Sequence, residues 1–199
     1  KDSGTIAILG DSISDGSGST PRANHRWPDF FAERLSARKG RHWAVANQGI
    51  GGNRVLGDGA GESALARFDR DILALPGVKA VIVFEGINDL GLSFGKKEGP
   101  LAQMFPELGE GRVKADQVIA GYRQLIARAR SKGLKVFGAT LAPYKGATYW
   151  SPAGEVERQK INDWIRGSGA FDGVLDFAKV VADPHDDQTM AEGLHAGDH

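Results

Sequence analysis

Short apolar runs alternate with helical patterns from one end of this chain to the other, and that alternation leaves few folds open to it. Residues 5–9, 43–46, 80–84, 135–139 and 174–177 read as strands. Residues 27–38, 63–75, 114–132 and 152–166 between them read as helices. The third of these places Val118, Ile119, Tyr122, Leu125, Ile126 and Ala129 on one stripe and stops at Gly133, while the fourth opens with Ser151 as N-cap and Pro152 in its first turn. Strand-helix alternation builds a parallel sheet of five strands with helices on both faces, and such sheets bind ligands at the carboxyl ends of their strands. The loops that follow strands are therefore where chemistry is expected.

Composition narrows the partners. The 199 residues, 41% of them hydrophobic, suffice for one core, so a single domain spanning 1–199 is expected. Twenty-five basic residues balance twenty-five acidic ones, with neither sign gathered into a block, which argues against nucleic acid and anionic membranes as partners. No apolar run reaches membrane-spanning length, so membrane insertion is not expected. With no cysteine there is neither a disulfide nor a thiolate site, a composition that suits an oxidising compartment as well as the cytosol; the lean is toward a secreted or periplasmic protein.

Three post-strand loops carry the candidate chemistry. The first strand runs into Gly10-Asp11-Ser12, where a serine at the mouth of a buried strand, behind a glycine that lets the chain turn, is held as a nucleophile would be. A Ser/Asp/Gly turn formed for local reasons is the plain alternative. After the second strand comes Asn47-Gln-Gly-Ile-Gly-Gly-Asn-Arg54, with three glycines in four positions, able to point backbone N–H groups at an anion. It is not the lysine-bearing phosphate loop, and the first loop lacks the dinucleotide glycine spacing, so an oxyanion donor is the better reading and no cofactor is expected. After the third strand, Glu85-Gly-Ile-Asn88-Asp89 offers an amide donor at the same sheet edge, or a turn capping its own backbone.

Taken together these loops resemble the SGNH hydrolases, the GDSL esterase/lipase family, in three blocks: Gly10-Asp11-Ser12, the glycine loop aligned best at Gly52, and Gly86-Ile87-Asn88-Asp89. The likeness continues through Ser19-Thr-Pro21, Arg26-Trp-Pro28, Asn53-Arg-Val55 and Leu65-Ala-Arg-Phe-Asp-Arg70. It implies a flavodoxin-like three-layer α/β/α sandwich and an acyl-ester hydrolase. Ser12 would then be the nucleophile, with its own N–H, the Gly52 N–H and the Asn88 side chain as the oxyanion hole.

A serine hydroxyl needs a base, and the base needs a carboxylate to orient it. The family draws both from one late Asp-x-x-His block, for which this chain offers two registers. In one, Glu192-Gly-Leu-His195 stands in, with glutamate for aspartate and His195 as base. In the other, favoured because residues 174–184 resemble the segment preceding the block in close relatives, Ala196-Gly-Asp198-His199 opens it. Asp198 is then the carboxylate and the catalytic histidine falls two residues past His199, so the sequence is expected to lack the C-terminal part of the domain. His25 and His42 are expected beside the site entrance and in strand packing, and His185 with Asp186 and Asp187 reads as a solvated loop rather than a metal site.

Two loop features bear on substrate. Residues 91–112 form a long irregular stretch, read either as a lid over the site or as a surface excursion. Trp27, Phe94, Tyr144, Tyr149 and Trp150 are candidates for stacking on sugar rings, or for packing. The expected substrate is a small-molecule or carbohydrate ester carrying a short acyl group, acetyl in the first instance. The competing class is a non-catalytic module that binds acylated glycan, which an absent base would favour.

Overall fold

The structure, a computed structural model, describes residues 2–105 and 108–195. Five parallel strands form one sheet in the order β2-β1-β3-β4-β5: β1 (Asp2–Gly10), β2 (Arg41–Gly49), β3 (Val78–Phe84), β4 (Lys135–Ala139) and β5 (Gly173–Leu175). In the centre, residues 7–9 and 80–84 are buried on both faces, which is why they read as unbroken apolar runs. Alternation splits them. Ala7, Leu9, Val81 and Val83 face one core with α3 (Ala64–Phe68), α6 (Ala115–Ser131) and α7 (Pro152–Gly167), while Ile8, Ile82 and Phe84 face a second with Trp27 and Phe31 of α2 (Trp27–Ser36).

Helix signals hold at most ends. Ser151 caps α7 by accepting from the Gly154 N–H at 3.1 Å. The expected helix over 63–75 is two pieces, α3 and then a π-helical turn, Asp69–Leu73, so the helix changes pitch just after Arg67.

Four expectations need correction. The fifth strand stops at Leu175, because the Asp176 carboxylate accepts from Lys179 N and caps α8 (Phe177–Val181). The Phe177 ring then leaves the sheet to pack 5.4 Å from Trp27 and 5.0 Å from Phe84. The third post-strand loop is largely helical. There α4 (Ile87–Phe94) starts directly after Gly86 and is followed by α5 (Gly99–Met104); Gly109 and Gly111 donate to the Leu92 and Ser93 carbonyls, folding this stretch back on α4. Residues 182–190 form an unforeseen antiparallel hairpin, β6 (Ala182–Asp183) and β7 (Asp186–Met190), whose polar strands carry no apolar signal. His42 lies in β2, as expected, but is exposed rather than packed, since β2 is an edge strand.

Candidate active site

Strand register brings the three loops together. Gly10 at the end of β1 is level with Gly49 of β2 on one side and Phe84 of β3 on the other, so the chain leaves the sheet three times at one height. Ser12 is the first residue of a single turn of helix, α1 (Ser12–Asp15), capped by Asp11, whose Oδ1 accepts from Ile13 N at 2.9 Å. Gly10 is needed for a reason other than turning. A Cβ there would lie 2.4 Å from Ser14 Oγ and 3.0 Å from the Phe84 carbonyl, so glycine lets α1 sit directly on the strand end.

Polar contacts then tie each loop to the next. Asn47 Nδ2 donates to the Ser14 carbonyl at 2.7 Å, and Ile50 N donates to the Gly10 carbonyl at 3.0 Å, joining the first two loops. Asn88 Nδ2 donates to the Asn53 carbonyl at 2.9 Å, fixing the amide beside Gly52, which has a left-handed backbone (φ +75°). Asp89 binds the same loop from beneath, accepting from Val55 N at 2.7 Å and Leu56 N at 3.0 Å. The sequence reading missed Asp89. A carboxylate that satisfies two backbone donors leaves no pattern in sequence beyond its place next to Asn88.

Beneath the loops lies a buried charged cluster. Asp11, Glu85 and Asp89 are each no more than 2% exposed, and Arg67 is 1% exposed. Burial pushes Asp11 up to about 7, against its bonds to backbone N–H and with a push from the Asp89 charge. Burial likewise raises Asp89 to about 6, and burial together with the Asp11 and Asp89 charges holds Glu85 well above the usual carboxylate range.

Ser12 opens onto a cleft of about 530 Å³. Ile13 and Ser17–Ser19 line it beside Ser12, with Ile87 and, from the loop after β4, Ala142–Tyr144 and Tyr149; Met190 and Gly193–His195, arriving from the hairpin, complete it. Tyr149 stacks on Tyr144, ring centres 5.8 Å apart, and lies against α4 where a Cβ on Gly91 would come within 2.2 Å of Tyr149 Cδ2. Lys145 anchors the hairpin by donating through Nζ to Asp186 at 2.7 Å and through its backbone to the Gln188 carbonyl.

A sequence comparison decides what this arrangement belongs to: residues 8–199 match the GDSL-like lipase/acylhydrolase family. The chain belongs to that family. It is a carboxylic ester hydrolase of the GDSL/SGNH type, with the α/β fold of its structural neighbours. A lipolytic protein of the G-D-S-L family from Desulfitobacterium hafniense DCB-2 superposes with TM-score 0.66 at 20% identity, covering 96% of this chain and 86% of its own. The protein TesA superposes at 0.62 with 22% identity, over 96% and 88% of the two chains. AlinE4, an SGNH-hydrolase family esterase, gives 0.63 at 18% identity, over 98% and 87%. A search of curated proteins gives no match.

Of the expected site residues in this GDSL hydrolase, Ser12 and His195 line the same cleft, whereas Gly52 and Asn88 meet at the neighbouring loop and do not line it. Asp198 lies outside the described residues. His25 stacks on Phe30 beside a separate hollow formed by residues 15–26. His185 turns the hairpin, and among the described residues no group of three His, Asp or Glu could hold a metal ion. No described helix is long and apolar enough to cross a membrane. None of the described residues of 91–112 lines the cleft. Among the aromatic candidates, Tyr144 and Tyr149 reach the cleft; Trp27 and Phe94 pack on the cores and Trp150 packs beside Tyr144.

Proposed function

We infer that the enzyme removes a short acyl group, acetyl in the first instance, from an ester of a neutral polar alcohol such as a carbohydrate. The character of the cleft carries this reading. Among the described residues no Lys, Arg, Asp or Glu lines it; serines and glycine form one wall and a tyrosine pair the other. Its volume suits a small molecule, and its walls offer an apolar surface with a few hydroxyls and no ion to match a charged substrate.

The chemistry follows from the roles. Ser12 Oγ attacks the ester carbonyl as its proton passes to a histidine, and the charge that builds on the carbonyl oxygen is met by the N–H groups of Ser12 and Gly52 and by Asn88 Nδ2. Collapse releases the alcohol, which takes the proton from the histidine. Water then attacks the acyl-enzyme with the same histidine as base, and the free acid leaves. Two registers supply the base: Asp198 as the carboxylate for a histidine of the late block, or His195, which lines the same cleft.

A p-nitrophenyl ester series from acetate to octanoate, assayed with the full-length protein, tests the reading. Highest kcat/KM on acetate, a burst of nitrophenol, and loss of both in Ser12→Ala are expected. Full turnover in Ser12→Ala removes the nucleophile assignment, and a preference for octanoate removes the short-acyl one. Asp198→Ala should lose activity where His195→Ala keeps it; the opposite result transfers the base to His195.

A further inference from the structure

The guanidinium of Arg67 meets all three catalytic loops at once. Its Nη2 donates to the carbonyl of Gly10 at 3.2 Å, two residues before Ser12. Nη1 donates to the Gln48 carbonyl at 2.8 Å, at the end of β2, and lies 3.4 Å from Asp71. Nε donates to Asn53 Oδ1 at 2.9 Å, and it is the Asn53 carbonyl that holds the Asn88 amide. Glu85, the first residue after β3, places Oε2 3.8 Å from Nη2.

Arginine at this place is costly to bury. Its side chain and that of Glu85 are both wholly inaccessible, so the guanidinium is held out of water in a stretch of chain whose Ala64, Phe68 and Ile72 are core residues. A planar fork with five donors can hold several acceptors at fixed mutual distance, which neither an apolar side chain nor a lysine can do. The acceptors it holds lie in the strand ends and loops that carry Ser12 and Gly52, and the Asn53 carbonyl ties the Asn88 amide to them. An oxyanion hole assembled from three separate loops depends on that spacing, because donors misplaced by about 1 Å can cost roughly 10² in rate.

We propose that Arg67 is a positioning residue that sets the distance between the Ser12 nucleophile and the Gly52 and Asn88 donors, and so acts on the transition state while touching no substrate. This rests on the acyl-transfer reading given above. It makes the buried cluster part of the catalytic frame rather than a leftover of folding. Asn53 is the second member of the relay, since its side chain takes the guanidinium's hydrogen bond while its own amide is held by the Ala60 and Glu62 carbonyls at 3.3 and 2.8 Å.

The test uses the full-length protein and Arg67→Lys, which keeps the charge beside Glu85 but cannot span the acceptors. With p-nitrophenyl acetate, kcat should fall about 10²-fold while KM changes less than about threefold. Phosphorylation of Ser12 by diethyl p-nitrophenyl phosphate, which must also seat an oxygen on the donors, should slow by a similar factor. The final extent of phosphorylation counts the competent sites, so a fall in kcat explained by fewer sites overturns the proposal, as does unchanged kcat in a folded variant. Should Arg67→Lys not fold, the double variant Arg67→Met/Glu85→Gln, which removes both members of the buried pair, takes its place with the same expectation. If that too fails to fold, Arg67 belongs to the core and the positioning role is overturned. Full activity in Ser12→Ala strikes instead at the acyl-transfer reading and is told apart on that ground.

Discussion

The two walls of the cleft are held by opposite means. On the nucleophile side, loops after β1, β2 and β3 are joined by buried contacts: Arg67 to Gly10, Gln48 and Asn53, and Asp89 to Val55 and Leu56. On the far side, the loop after β4 and the hairpin meet through Lys145 and Asp186, whose side chains are 42% and 37% exposed. Buried polar networks are expensive unless fully paired and, once paired, admit few alternatives. Exposed pairs are weak and adjustable. The Ser12 side is thus the more tightly tied of the two, and the far side is freer to vary.

Substitutions on either side can break that contrast, beginning where the effect should be greatest. Asp89→Ala strands two backbone donors, Val55 N–H of them buried, and should lower unfolding free energy by about 3 kcal/mol. Urea denaturation measures it; a loss near zero means that the network is not what stiffens this wall. Gly91→Ala would ordinarily favour a helix, yet its Cβ would displace Tyr149, so a cost of about 1–3 kcal/mol and a raised KM with kcat held are expected. A stabilised protein with unchanged KM would show that Tyr149 does not shape the cleft.

The pH dependence separates the walls as well. Asp11, raised in the folded state from 3.8 to about 7, binds its proton more tightly there than in the unfolded chain. Its contribution to stability is greatest below the unfolded value and is lost as pH rises through the folded one. Melting temperature should therefore fall from about pH 4 to about pH 7, and Asp11→Asn should flatten that fall. Asp186 has the reverse sign: its bond to Lys145 lowers its pKa, so whatever it contributes is present above the unfolded value and lost in acid. Smallest of all, Lys145→Ala should change stability by no more than about 1 kcal/mol. A larger loss in thermal melts would place the far wall on the same footing as the buried one.

Much of the candidate site was legible because strand ends are marked by a sharp change of residue type. Ser12, the glycine loop and Asn88 could be found from apolar runs that stop abruptly at small or polar residues. Arg67 left a fainter trace, an arginine three residues after Ala64 and one before Phe68, on the face that Ile72 continues inward. The polar hairpin left none, since β6 and β7 are short and half-exposed and are held by their mutual register rather than by an apolar face. Phe177 misled for a related reason: an aromatic after Val174 and Leu175 extends a strand pattern, and only the Asp176 cap and the Trp27 and Phe84 rings draw it into a helix.

By itself the sequence determined the alternation of strands and helices, hence the parallel sheet and the edge at which Ser12, Gly52 and Asn88 would gather. Periodicity and turn chemistry are local, and each can be read within a few residues. Tertiary structure alone decided that Gly10 makes room for α1, that Asp89 and Arg67 brace loops far from them in the chain, and that the segment ending in His195 returns to the cleft. Those contacts join residues dozens of positions apart, and their free energy exists only once the sheet has placed the partners side by side.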